Sequence, residues 1–336
     1  MKNLIRLILL CFVLSLSNAQ ATSLYFDPSC PNINGVITTP IPDDSCSLNG
    51  ILSEVVNLYE AGVCNTHPSI GAIGASTNFS SCIPIYKSTT PIAVDIVQPP
   101  NLPNAVLPPT GSYSYSYLII SNVTNLKAQA TFNLPIMMGH NVGTSTTCYT
   151  NGSTTVEAGL PYDLSGNPIP NAYPSGDVNN NWAVDCGSGS ATANQIQHQY
   201  LNGKNPTTFM EDLGTPLGNM DIYYVNDQLL MPIIPNPQPA DGTSKNIGVT
   251  KIVAVFSASS PILISNNVDS NGQTCTTSGL DIQMSLSHGN YIDHVYGQNT
   301  NNPSTDGRSK ITYMGLEPFY FGFQSQPVTC LPTVSN

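Results

Sequence analysis

Eight cysteines (Cys30, Cys46, Cys64, Cys82, Cys148, Cys186, Cys275 and Cys330) constrain this chain more than any other feature of its sequence. The closest two are 16 residues apart, so no C-x₂₋₄-C pair is present to hold a compact metal site. An even set of thiols in an exported chain instead fits four disulfides, with on the order of a hundred pairings open. The first four cysteines, spaced 16, 18 and 18 residues, predict a locally stapled N-terminal region. The last four are spread far more widely and would clip long loops. Staples running across sheet layers are the expectation.

The ninth cysteine, Cys11, sits in a segment with the layout of a secretory leader. Lys2 and Arg6 supply a positive start, Leu7–Leu16 is apolar apart from Ser15, and Ser17-Asn18-Ala19 offers small side chains for cleavage. Cutting after Ala19 leaves Gln20 first and removes Cys11; Ala21 is the next choice. An apolar run of about 10 residues is too short for roughly 30 Å of hydrocarbon. Leu10 is too large for the position before a lipid-bearing cysteine. No later segment reads as a membrane span. The chain is expected in the extracellular space or on a cell surface, or in the periplasm if the host is bacterial.

Charge narrows the partners. The chain carries 9 Lys+Arg against 20 Asp+Glu, and only 9% of residues are charged. Without Lys2 and Arg6, 7 basic residues face 20 acidic ones, a formal charge of −13, with Arg308 the sole arginine. Phosphate backbones need a concentrated basic field, so a nucleic-acid partner is excluded on this ground. A hydrophobic content of 40% still supports a packed core.

Periodicity divides the chain beyond residue 19. Residues 20–98 read as a Cys-rich region. In it, Ile51–Tyr59 repeats apolar groups at spacings of three and four, the pattern of one short helix capped by Asn49 and ended by Gly62. Prolines at 99, 100, 103, 108 and 109 make a joint or strap over 99–110. Residues 111–336 read as a β domain, with Pro232–Gly242 suggesting a split near 232–245. Leu126–Leu134 and Leu280–Ser287 alternate apolar and polar residues, which places one side of each strand on a core. Val249–Phe256 is nearly continuous and β-branched, as in a strand buried on both faces. Residues 220–225 and 311–323 are further strands, and Asn151-Gly152 and Asn271-Gly272 are turns between strands. Thr192–Leu201 and Thr207–Leu213 carry weak helical patterns. The expected fold is mainly β: antiparallel, sandwich-like and disulfide-stapled, with the Cys-rich N-terminal region holding one short helix.

Several segments qualify as sites. Asp177, Asn179, Asn181 and Asp185 place oxygens at alternating positions, as calcium coordination requires. Resemblance to an EF-hand or dockerin-type loop is partial: Trp182 stands where glycine is needed and Ser188 where an acid is needed. Asp269–Gln273 is a weaker version. Calcium is thus the metal this loop suggests, and no cofactor is expected. His288, Asp293 and His294 form the only local histidine–carboxylate group, suited to zinc, copper or acid–base work. His67, His140 and His198 have no partner at a recognisable spacing. Tyr113, Tyr115 and Tyr117 would line one face of a strand, where they and Trp182 could stack on sugars; filling the core is the competing use. Phe319, Phe321 and Phe323 read as core. Sequons occur at Asn78, Asn122 and Asn151, no more than composition predicts. Hydrolase and phosphate-binding motifs are missing.

These features point to an exported, non-catalytic structural, surface or adhesion protein, with self-association or an extracellular protein or glycan as partner. Carbohydrate binding through exposed aromatics and secreted hydrolysis are the alternatives.

Overall fold

The computed structural model describes residues 29–38, 45–48, 50–68, 76–98, 101–138, 141–156, 183–197, 209–212, 219–230, 249–285, 290–296, 309–316 and 320–331. The proposed leader lies outside them. In chain order the strands are β1 (Asn32–Ile33), β2 (Val36–Ile37), β3 (Ser45–Leu48), β4 (Ile51–Cys64), β5 (Cys82–Asp95), β6 (Gly111–Met138) and β7 (Asn141–Thr150). Next come β8 (Thr154–Val156), β9 (Val184–Cys186), β10 (Asn194–Gln197), β11 (Phe209–Asp212), β12 (Asn219–Val225) and β13 (Lys251–Ile264). The last are β14 (Asn266–Val268), β15 (Thr274–Thr277), β16 (Leu280–Ser285), β17 (Asn290–Tyr296), β18 (Ser309–Leu316), β19 (Tyr320–Ser325) and β20 (Val328–Leu331). The protein is mainly β. No helix among the described residues is long and apolar enough to cross a membrane.

Strand β6 is the spine. Its 28 residues have a contour on the order of 90 Å at strand rise. It pairs antiparallel with β4, β7, β10 and β13, and parallel with β2 and β18. One 15-stranded sheet results, with β12 and β11 beyond β13, and β17 and β3 beyond β18. Apart from it stand a three-stranded sheet, β14-β15-β20, and a ribbon, β16-β19.

Burial tracks the sequence patterns. Leu126, Ala128, Ala130 and Phe132 are buried together, while Leu134, at the end of the same alternation, is exposed. Within β13, Ile252, Ala254 and Phe256 enter one core cluster and Val253 and Val255 another, so both faces are covered. Phe321 and Phe323 of the ribbon pack into the first cluster, Phe321 lying 6.1 Å from Phe256. Burying such a ring stabilises by about 1.5–3 kcal/mol. Gly152 (φ +89°) and Gly272 (φ +75°) occupy the left-handed region that glycine tolerates.

Residues 51–59 are strand, not helix. β4 buries Glu54, Val56 and Leu58 at every second position, which is strand periodicity, and a register shift after Leu58 then turns Glu60 to the opposite face. Val55 and Tyr59 lie out of phase with Val56 and Leu58, so counting apolar residues of both faces together yields three-and-four spacing. The weak helical patterns at 192–201 and 207–213 likewise contain β10 and β11, whose backbone groups are satisfied by pairing with β6 and β12. Residues on both sides of 99–110 share the main sheet. Leu102 enters the first core cluster, Val106 N–H donates to Ile85 O (2.9 Å), and Tyr113 Oη donates to Pro109 O (2.8 Å).

All eight cysteines pair, in chain order: Cys30–Cys46, Cys64–Cys82, Cys148–Cys186 and Cys275–Cys330. The staples do not run across sheet layers as expected. In the last three the two residues are direct partners on adjacent antiparallel strands, with Cα atoms 3.9–4.0 Å apart. Opposed positions bring Cβ atoms within bridging distance without moving the backbone.

Candidate functional site

Among the described residues, polar and aromatic groups gather over the second face of β4, β6, β12 and β13. Tyr117, Ile119, Tyr223, Val225, Val253 and Val255 are buried there with Cys64. Two turns close over them. Phe79 packs on Tyr117 with ring centroids 5.0 Å apart, and Leu229 joins from the turn after β12. The turns are tied together, since Thr77 N–H and its Oγ1 both donate to Leu229 O.

Tyr117 fits because residue 62 is glycine. A Cβ on Gly62 would sit 2.4 Å from Ile83 O and 2.6 Å from the Tyr117 ring. The Tyr117 hydroxyl donates to Glu60 Oε1 at 2.6 Å, and Lys87 Nζ meets the other carboxylate oxygen at 2.7 Å. Burial, reinforced by the hydrogen bond to Glu60 and by its charge, holds the Tyr117 phenol far above its usual range. Tyr223 is raised too, first by burial and then by the charge of Asp221. At the rim, Lys251 Nζ lies 4.5 Å from the Tyr59 ring centroid and 3.4 Å from Asp227, which accepts from Thr250 Oγ1.

His67 completes this face. From the loop after β4 it donates through Nε2 to Asp221 Oδ2 at 2.6 Å, with the Tyr115 ring 5.2 Å away, edge-on. Asp221 Oδ1 is buried without a hydrogen-bond partner. A carboxylate orienting an imidazole is half of a nucleophilic triad. The pair ties the loop to β12, and among the described residues no serine, cysteine or threonine is bonded to His67. No spacing signal could reveal it, because 154 residues separate the two partners.

The residues singled out from sequence scatter. Tyr113 is 2% exposed and Tyr117 1%, so neither ring is free to stack on a ligand. Nor do the three tyrosines share one face. Tyr113 packs with Leu118 and Ile120, whereas Tyr115 and Tyr117 join the opposite cluster. The register of β13 shifts between Ser257 and Ile262, opposite Tyr115 and Tyr113, and breaks the alternation there. Tyr115 remains half-buried beside His67.

Of the proposed calcium loop, Asp177, Asn179, Asn181 and Trp182 lie outside the described residues. Asp185 is half-buried on β9 and accepts from Asn151 Nδ2 at 3.2 Å. His288 also lies outside, as do His140 and His198; Asp293 and His294 are backbone positions on β17. Asp269 caps the β14–β15 turn, with Oδ1 accepting the N–H groups of Asn271 and Gln273, each at 2.8 Å. Ligand atoms of Asp269, Cys275 and Cys330 lie within 4.8 Å of one another. Both sulfurs are consumed in a disulfide, however, and thiolate is the form that ligates metal. The group could hold an ion only after reduction.

Comparison with protein-family models, curated proteins and solved structures finds no match for this chain.

Proposed function

We propose that the protein is an exported, non-catalytic structural or adhesive protein of the extracellular surface, with a sandwich-like β body. One observation carries the reading: three of the four disulfides join directly opposed residues on neighbouring strands. Such clamps resist strand separation and suit a chain working outside the reducing cytoplasm. A site for turnover is not needed to explain any of them. The sparse charge supports the same reading, since the surface meets partners through amide and hydroxyl groups rather than through ion pairs.

Self-association is the mode of action proposed. Within β5, Pro84, Pro91 and Lys87 blunt that strand against pairing with another chain. Strands β14 and β20 contain no proline or charged residue, and Val268 and Val328 on them are exposed.

The test is to purify the native protein from the medium of expressing cells and record its mass, free-thiol content and appearance by electron microscopy. Oligomers, filaments or sheets without free thiols are expected. A monodisperse monomer that hydrolyses a substrate, or one that binds an immobilised glycan, would replace this reading with the corresponding alternative.

A further inference from the structure

The three sequons differ in what the fold does with each asparagine. Asn122 is 5% exposed, and its Nδ2 donates to Val249 O at 3.0 Å, where β6 meets the start of β13. Its backbone N–H also donates to Thr250 O. Asn151 is half-buried: Nδ2 donates to Asp185, while Oδ1 accepts from both the backbone N–H and the hydroxyl of Ser153. Asn78 is exposed. Its Oδ1 accepts the Ser80 N–H at 3.0 Å, which folds the sequon back on itself, and no hydrogen bond engages Nδ2 among the described residues.

We propose that Asn78 carries an N-linked glycan in the secreted protein and that Asn122 stays bare. This rests on the export reading. The reaction draws on a polyprenyl-pyrophosphate-linked oligosaccharide. Nδ2 attacks the anomeric carbon of the first sugar, the bond from that carbon to the pyrophosphate oxygen breaks, and a carbon–nitrogen bond forms. The amide gives up one proton and the polyprenyl pyrophosphate leaves, with no oxidation or reduction.

The fold supplies the discrimination. Next to Asn78, Phe79 is anchored on Tyr117 and Thr77 is tied to Leu229, so the base of the turn is fixed while residue 78 faces outward. A sugar added there displaces no packed atom. At Asn122 a sugar has to take the place of the Val249 contact and wedge apart strands bonded from Lys251 to Ser257 against β6. A chain modified there before folding cannot close this part of the sheet, and so does not reach the medium in folded form. The glycan on Asn78 stands over the turn covering the Tyr117–His67 face and screens it from proteases.

The experiment expresses the full chain in a eukaryotic secretory host with its own leader, and in parallel with a host leader replacing residues 1–19. Site occupancy is read by glycopeptide mass spectrometry, with and without peptide N-glycosidase. The expected result is a glycan at Asn78 in most molecules, an unmodified Asn122, and loss of one gel-mobility step in Ser80→Ala with secretion maintained. Ser80→Ala removes the sequon and spares the Asn78 side chain, so it separates glycosylation from folding. A bare Asn78, or an occupied Asn122 in fully disulfide-bonded secreted protein, overturns the proposal. Retention of the own-leader chain beside secretion of the host-leader chain would instead defeat the export reading. Asn78 is still read in that case, on the secreted form.

Discussion

Two disulfides with nearly the same local geometry stand in opposite surroundings. Cys64–Cys82 joins β4 to β5 at the end of the main sheet, with Cys64 fully buried beneath Phe79 and Tyr117. Cys275–Cys330 joins β15 to β20 in the small sheet, with Cys330 exposed and neither sulfur in a core cluster. Their loops differ in the other sense, 18 residues against 55. Chain entropy alone assigns about 3 kcal/mol to the shorter and about 4 kcal/mol to the longer. Thermodynamic weight and chemical protection are thus arranged in opposite orders. The bridge that constrains the unfolded chain more is the one a thiolate reaches first.

The largest effect should be kinetic. Under a mild dithiol reductant at native pH, Cys275 and Cys330 are expected to be alkylated at least about 100-fold faster than Cys64 and Cys148, which must await wider opening. Mass-spectrometric labelling over time reads this directly. Equal rates would dissolve the comparison.

Packing gives the next effect. Phe256→Ala is expected to lower unfolding stability by about 3–5 kcal/mol, because the ring is buried between β13 and the β16–β19 ribbon. Val268→Thr, on exposed β14, should change it by less than about 0.5 kcal/mol. Denaturant titration of both variants sharpens the contrast between core and satellite.

A smaller loss is expected at the tie across the aromatic face. His67→Ala removes the partner of Asp221 Oδ2 from a carboxylate whose Oδ1 already lacks one, at a cost of about 1–3 kcal/mol. Hydrogen exchange should rise in 65–68 and in β12, and stay unchanged in β14, β15 and β20.

The last prediction concerns pH. Burial, with the neighbouring charge of Asp95 adding to it, pushes the Glu54 carboxyl well above its ordinary value. A raised folded-state value means that the stability tied to the protonated acid is complete below the unfolded value. It is lost as pH rises through the folded one. Stability should therefore decline from mildly acidic towards higher pH, and Glu54→Gln should flatten that dependence. An unchanged slope in the variant would remove Glu54 from the account.

Legibility in the sequence depended on which patterns had rivals. The alternation at 126–134 and the β-branched run at 249–256 admit few other readings; the first lies in β6, and the second enters β13 at Lys251. The eight cysteines beyond the expected leader point to four bridges but do not choose among pairings, because opposition across strands depends on register. At 51–59 the three-and-four spacing comes from counting apolar residues of both strand faces together. The buried Glu54 is what extends the period of two through Val56 and Leu58, before a register shift turns Glu60 to the other face. Buried acids need tertiary partners: Glu60 has Tyr117 and Lys87, both far from it in sequence. The same distance hid the link between His67 and Asp221. The tyrosine row misled differently, through a register irregularity in a strand 140 or so residues away that no local pattern in 113–117 reports.

Disulfide mapping by peptide mass spectrometry, on acid-proteolysed native protein kept unreduced, tests the account most directly. It should recover four linked peptide pairs, Cys30 with Cys46, Cys64 with Cys82, Cys148 with Cys186 and Cys275 with Cys330, and no alkylatable thiol among the eight. Crossed pairs, or free thiols at these positions in the native molecule, would contradict it.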